Sequence, residues 1–123
     1  MKNLIDVSAV SAYLVDQSSP EAGEFAFAYT ITITNKGEQG ARLLSRHWII
    51  TDGNSEIQEV KGDGVVGEQP MLPPGASFEY TSGTLMPTPM GTMRGSYQML
   101  ADDGTMFDAD IPQFSLVAEK TLH

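Results

Sequence analysis

The chain predicts an all-β fold, an antiparallel β-sandwich of roughly seven to eight short strands, on three observations. Turn signals punctuate it at Asn35-Lys36-Gly37, Asp52-Gly53-Asn54, Pro73-Pro74-Gly75 and Asp102-Asp103-Gly104. Stretches with a period of two lie between them. In the clearest, Phe25, Phe27, Tyr29, Ile31 and Ile33 alternate with Ala26, Ala28, Thr30, Thr32 and Thr34, which puts the large side chains on one face of a strand. No stretch joins a helical period to helix caps. A closed barrel is the main alternative arrangement of the same strands.

The elements follow in order. Ile5 to Val15, rich in β-branched and small residues, is a first strand, and Gln17 to Gly23 a polar loop. Glu24 to Thr34 is the alternating strand. Arg46 to Ile50, within Ala41 to Thr51, is a buried strand anchored by the single tryptophan, Trp48. The turn Asp52-Gly53-Asn54 uses residues that tolerate positive φ, and Ser55 to Lys61 returns as the hairpin partner. A glycine-rich loop with Gly62, Gly64 and Gly67 follows, and Met71-Leu72 leads to the Pro73-Pro74-Gly75 turn. Ser77 to Thr81 is a short strand. Ser82 to Gly91, with two prolines and two glycines, reads as a loop that exposes apolar side chains over Leu85 to Met90. Thr92 to Leu100, Thr105 to Ala109 and Pro112 to Val117 complete the strands, and Glu119 to His123 read as a frayed tail.

A length of 123 residues suits a single domain, 1–123, with one core, and 41% hydrophobic residues suit a folded chain. The formal net charge of −9 repels phosphate backbones and anionic lipid, so neither nucleic acid nor membrane is expected as a partner. Acidic groups of this number keep a small protein in solution. The absence of cysteine excludes disulfides, thiolate zinc sites and cysteine nucleophiles. Met1 to Asp6 has neither the apolar run nor the cleavage site of a signal peptide, and no apolar run approaches the ~20 residues of a membrane span. A cytoplasmic protein is the expectation.

Gly62-x-Gly64-x-x-Gly67 spells a phosphate-loop pattern and follows a strand. A dinucleotide site also needs a helix after the loop, and Glu68-Gln69-Pro70-Met71-Leu72-Pro73-Pro74-Gly75 cannot form one. A nest of backbone N–H groups could hold a phosphate without a helix, with Lys61 favouring the charge and Asp63 and Glu68 opposing it. A tight structural loop is the competing reading. Asp52 to Glu56 resembles the start of a calcium loop, but Ile57 stands where the sharp-turn glycine belongs. Asp102, Asp103, Asp108 and Asp110 form an acidic group that reads as a solvated edge. Alternation turns His47 outward if Trp48 faces inward. No G-x-S-x-G elbow supports hydrolase chemistry. No cofactor or metal site is assigned.

Linked motifs carry a family resemblance. They are Arg46-His47-Trp48-Ile49-Ile50-Thr51-Asp52-Gly53-Asn54, Gly62 to Pro70, Pro74-Gly75, Phe78 to Gly83, Gly91 to Tyr97 and Ile111-Pro112-Gln113-Phe114. Over nearly the whole chain the sequence resembles the bacterial ApaG family, also called CorD. The resemblance implies a fibronectin type III-like or immunoglobulin-like sandwich. It also implies an association with cobalt tolerance and magnesium efflux, and a partner-binding role like that inferred for similar domains in an F-box protein and a polymerase-delta-interacting protein. It carries no catalytic residues. The family motif sets Arg46 and Arg94 in strands, where they are expected to pair with carboxylates across strands or to hold an anion or a partner carboxylate. Two functions are therefore expected. The first is a non-enzymatic interaction module with a protein partner, and an edge strand suited to forming a homodimer or larger homo-oligomer. The alternative is a regulator that binds a nucleotide polyphosphate or divalent cation through the glycine-rich loop.

Overall fold

The structure, a computed structural model, describes residues 3–118. The tail expected over 119–123 lies outside the described residues. The strands are β1 (Ile5–Tyr13), β2 (Phe25–Asn35), β3 (Ala41–Asp52), β4 (Ile57–Asp63), β5 (Met71–Leu72), β6 (Ser77–Met86), β7 (Met90–Ala101) and β8 (Met106–Val117). All pairings are antiparallel. They form two facing sheets rather than a closed barrel, one ordered β1-β2-β6 and the other β4-β3-β7-β8, with β5 beside the start of β3. Among the described residues no helix is long and apolar enough to cross a membrane.

The alternation in β2 fills the core. Phe27, Tyr29, Ile31 and Ile33 are buried and face Trp48, Met93, Tyr97 and Leu116 of the opposite sheet. Trp48 is 2% exposed, with Tyr29, Phe114 and Tyr97 rings at 5.3, 6.0 and 6.4 Å. Edge-on aromatic contacts of this kind add to the burial of large apolar area. Of the methionines, Met86, Met93 and Met99 fill the core, whereas Met71, Met90 and Met106 are exposed.

Several elements differ from the sequence reading. The first strand ends at Tyr13, and single turns of 3-10 helix occupy Val15–Gln17 and Pro20–Ala22. Met71-Leu72 forms a strand of its own because it finds a register on β3, Ala41 opposite Leu72. The expected loop Ser82 to Gly91 is mostly strand. β6 continues along β2 to Met86 opposite Phe25, and only Pro87 to Pro89 turn the chain. The expected break before Pro112 is a bulge within the single strand β8. The inward positions shift from Ala109 and Ile111 to Phe114 and Leu116, and the register against β7 slips between Met93 and Gly95. β8 is a sheet edge, so the missing N–H of Pro112 costs no ladder bond. In the β3–β4 turn the left-handed conformation falls on Ser55 (φ 66°), not on Gly53 or Asn54.

A buried polar hub ties the loops to the core. Asn35, 1% exposed, donates from Nδ2 to the carbonyls of Gln39 (2.9 Å) and Leu72 (2.8 Å), while its Oδ1 accepts from Gly37 N–H (2.9 Å). Its backbone N–H donates to Ala76 and its carbonyl accepts from Gly75. Burial without these partners would cost about 1–3 kcal/mol for each orphaned group.

Candidate functional site

The residues singled out in the sequence cluster around β3, β4 and the loop after β4. Alternation with Trp48 inward turns Ser45, His47 and Ile49 to the outer face of the larger sheet. His47 Nε2 lies 2.7 Å from Glu59 Oε2 of β4. Lys61 stands directly opposite His47. His47 and Lys61, together with Ser45, Arg46, Gly62, Asp63 and Gln98, line a broad open depression of about 560 Å³. Gln98 is held by Ser45, whose Oγ donates to Gln98 Oε1 at 2.8 Å.

Arg46 does not make the expected cross-strand ion pair. Its guanidinium lies across Gly62 and donates from Nη1 to the carbonyls of Asp63 (3.0 Å) and Gly64 (2.8 Å). A Cβ on Gly62 would meet that guanidinium at 2.8 Å, so the glycine is there to admit an arginine. Arg94 is exposed on β7, and among the described residues it makes no ion pair either. Alternation along β3 and β7 puts the two arginines on opposite faces of the sheet, so they form no joint anion clamp.

The glycine loop is a miniature hairpin. Val65 and Glu68 exchange both backbone hydrogen bonds, at 2.8 and 2.9 Å, around Val66 (φ 42°) and Gly67 (φ 81°). Positive φ at both central positions is the type I′ geometry, which favours Asn-Gly and strains a β-branched residue such as Val66. Gly64 (φ 64°) donates its N–H to Leu44, and a Cβ there would overlap the Glu68 carbonyl. The N–H groups of Gly64, Val65 and Glu68 are thus satisfied by carbonyls of β3 and of the loop itself and do not converge on an external point. Lys61 extends from β4 rather than from the loop. Val65, 1% exposed, is driven into the core and anchors the hairpin.

Three of the other acidic residues, Asp52, Asp102 and Asp103, have structural partners. Asp52 Oδ1 accepts from the N–H groups of Asn54 and Glu56 at 2.8 and 3.1 Å, which closes the turn that resembled a calcium loop. Asp102 accepts from Gly40 N–H at 2.9 Å. Hydrogen bonds from Thr105, side chain and backbone, hold the Asp103 carboxyl below the usual carboxylate range. Among the described residues no three His, Asp or Glu side chains come together as a metal site.

One feature escaped the sequence reading and a second was anticipated only in part. Tyr80 of β6 and Tyr97 of β7 join the sheets through a hydrogen bond of 2.5 Å between buried hydroxyls. Burial pushes the Tyr80 phenol up to about 12, and burial together with Tyr80 pushes Tyr97 higher still. Periodicity marks both as core positions but cannot pair their hydroxyls. The second feature is an exposed apolar set at one end of the sandwich. Ile57 and Leu85 border a depression of about 210 Å³, and Met90 and Val117 border another of about 260 Å³. Asp52 lines both, and Met90 lies directly opposite Val117. The exposed Leu85 and Met90 match the expectation for that stretch, while Ile57 and Val117 were not anticipated.

Fold and site together define a small fibronectin type III-like β-sandwich whose one described histidine is paired with a carboxylate rather than with a nucleophile. The ApaG domain profile matches residues 15–101. Protein ApaG of Thiobacillus denitrificans is 57% identical over 99% of this chain and 96% of its own. Protein ApaG of Pseudomonas fluorescens is 59% identical over 97% of this chain and 94% of its own. The crystal structure of an ApaA protein from Bordetella pertussis superposes with a TM-score of 0.93 at 49% identity, covering 97% of both chains. The chain belongs to the ApaG family.

Proposed function

We infer that the domain is a non-enzymatic interaction module that binds a protein partner through the turn end of the sandwich. The observation that supports this reading is the apolar set at that end, where Ile57, Leu85, Met90 and Val117 are each about half or more exposed (67, 58, 53 and 48%). Large apolar side chains grouped on a small domain lose water favourably when a partner covers them. Asp52 and Glu56 border the set, and the whole chain carries −9, so the matching partner presents apolar side chains flanked by basic ones. Arg94, exposed and without an ion pair among the described residues, is available to a partner carboxylate. A cytoplasmic setting completes the proposal, together with a part in cobalt tolerance and magnesium efflux that follows the family resemblance.

The experiment is capture from native cytoplasm with the intact chain, alongside Leu85→Asp and Met90→Glu. The unaltered chain should retain a partner that both variants lose by tenfold or more with melting temperature unchanged. Capture that is indifferent to both substitutions overturns the reading.

A second reading, a nucleotide polyphosphate regulator, draws on the depression where Lys61, His47 and Gly62 meet. The N–H groups of Gly64, Val65 and Glu68 are already spent, so Lys61 would supply the charge against Glu59 and Asp63. Thermal shift with ATP and diadenosine tetraphosphate, with and without Mg²⁺, tests it. A rise in melting temperature that vanishes in Lys61→Ala would favour it over the first.

A further inference from the structure

We propose that this chain forms a two-fold dimer through the free edge of β4, in one register that the strand's own charges select. β4 has β3 on one side and, among the described residues, no strand on the other. The hydrogen bonds at the ends of the β3–β4 ladder, Asp52 N–H to the Glu56 carbonyl and Gly64 N–H to the Leu44 carbonyl, set its phase. Counting in twos between them, Gln58, Val60 and Gly62 bond to β3. The N–H and C=O groups of Ile57, Glu59, Lys61 and Asp63 therefore point to the open edge. Two of the usual protections of an edge are missing, since β4 has no proline and its register on β3 runs without a bulge, and the charged side chains that remain on it, Glu59, Lys61 and Asp63, restrict which registers can pair.

A second copy can complete the edge only in particular registers. Two antiparallel copies related by a two-fold axis must match outward-pointing residues with outward-pointing ones. Pairing the whole strand puts the axis at Val60. Glu59 then faces Lys61 of the second copy, Lys61 faces Glu59, and Ile57 faces Asp63 at each end. All four outward residues find partners, giving about eight backbone hydrogen bonds and two cross-chain ion pairs. Moving the axis by one residue sets Glu59 against Glu59, or Lys61 against Lys61 with Glu59 against Asp63. Both are repulsive. Glu59 is already oriented by His47 on the β3 side, so its carboxylate is held over the sheet face that the second copy would extend. The larger sheets of the two copies would join into one continuous sheet.

The net charge of −9 on each copy opposes the approach, and a single edge is a small interface, so the dimer is weak. Sedimentation equilibrium on the full chain, from about 10 µM to 1 mM, covers the range expected for such contacts. The unaltered protein should self-associate. Lys61→Glu and Glu59→Lys should each weaken association tenfold or more, and the double exchange Glu59→Lys with Lys61→Glu should restore it. Glu59→Pro removes an outward N–H that β3 does not use, so it should be monomeric with near-normal melting temperature. A monomer throughout for the unaltered chain overturns the proposal. So does a dimer that persists in Glu59→Pro, or a double exchange as weak as the single ones. Leu85→Asp should leave the dimer intact, which separates this edge from the partner surface at the end of the sandwich.

Discussion

Removing one hydroxyl from the Tyr80–Tyr97 pair tests how the two sheets are held together. Tyr97 is fully buried and Tyr80 is 7% exposed, and their oxygens are 2.5 Å apart. Tyr97→Phe keeps the ring and its packing on Trp48 but leaves the Tyr80 hydroxyl buried without that partner. A lost hydrogen bond and an orphaned buried hydroxyl together cost about 1–3 kcal/mol. Tyr80→Phe should cost a similar amount for the same reason. The double substitution removes both polar groups, so it should cost clearly less than the sum, with a coupling of about 1–2 kcal/mol. Urea unfolding followed by Trp48 fluorescence measures all three, since Trp48 reports from 6.4 Å away. Single variants that each cost under about 0.5 kcal/mol, and that add without coupling, would refute the bridge as a source of stability.

Other perturbations follow from the same packing. Trp48→Ala should lose about 3–5 kcal/mol, and emission of the intact protein should be blue-shifted from that of free indole. Gly64→Val combines a left-handed backbone with overlap on the Glu68 carbonyl, so chemical denaturation should show a loss of about 2–5 kcal/mol. Val66→Asn should raise stability by about 1 kcal/mol, because asparagine suits the positive φ that valine strains and the side chain is exposed. Raised phenol values favour the folded state below the unfolded value of 10.0, where both states are neutral at Tyr80 and Tyr97. As pH climbs from 10 towards about 12 the unfolded chain ionises first, and stability should fall by about 1.4 kcal/mol per pH unit for each tyrosine. Alkaline unfolding that is unchanged in the double phenylalanine variant would contradict that assignment.

Strand β2 was legible because every large residue from Phe25 to Ile33 keeps one phase, and burial against a facing sheet enforces it. Trp48, the outward His47 and the Asp102 to Gly104 turn were legible for the same local reasons. Strand β8 was not, because a bulge near Pro112 shifts the phase mid-strand, and a shifted phase looks like two strands until β7 is there to pair with both halves. β6 was cut short at Ser82 because glycine and proline near its end outweigh propensity, whereas pairing with β2 carries the strand on to Met86. The candidate site divides in the same way. Residues 62 to 67 by themselves determine a tight turn with glycine at two of its left-handed positions, Gly64 and Gly67, though not at Val66. Where the loop's N–H groups point was decided by the return of the chain onto Leu44 and the burial of Val65. Arg46 was expected to pair with a carboxylate or hold an anion, but its actual partners, the carbonyls of Asp63 and Gly64, lie across a strand pair and exist only once β3 and β4 have joined. Local periodicity and turn chemistry thus determined the fold class and the core strands, and the linked motifs carried the family resemblance. Long-range pairing decided the exposed edge, the apolar end and the buried tyrosine bridge, because each depends on which distant residue a strand meets.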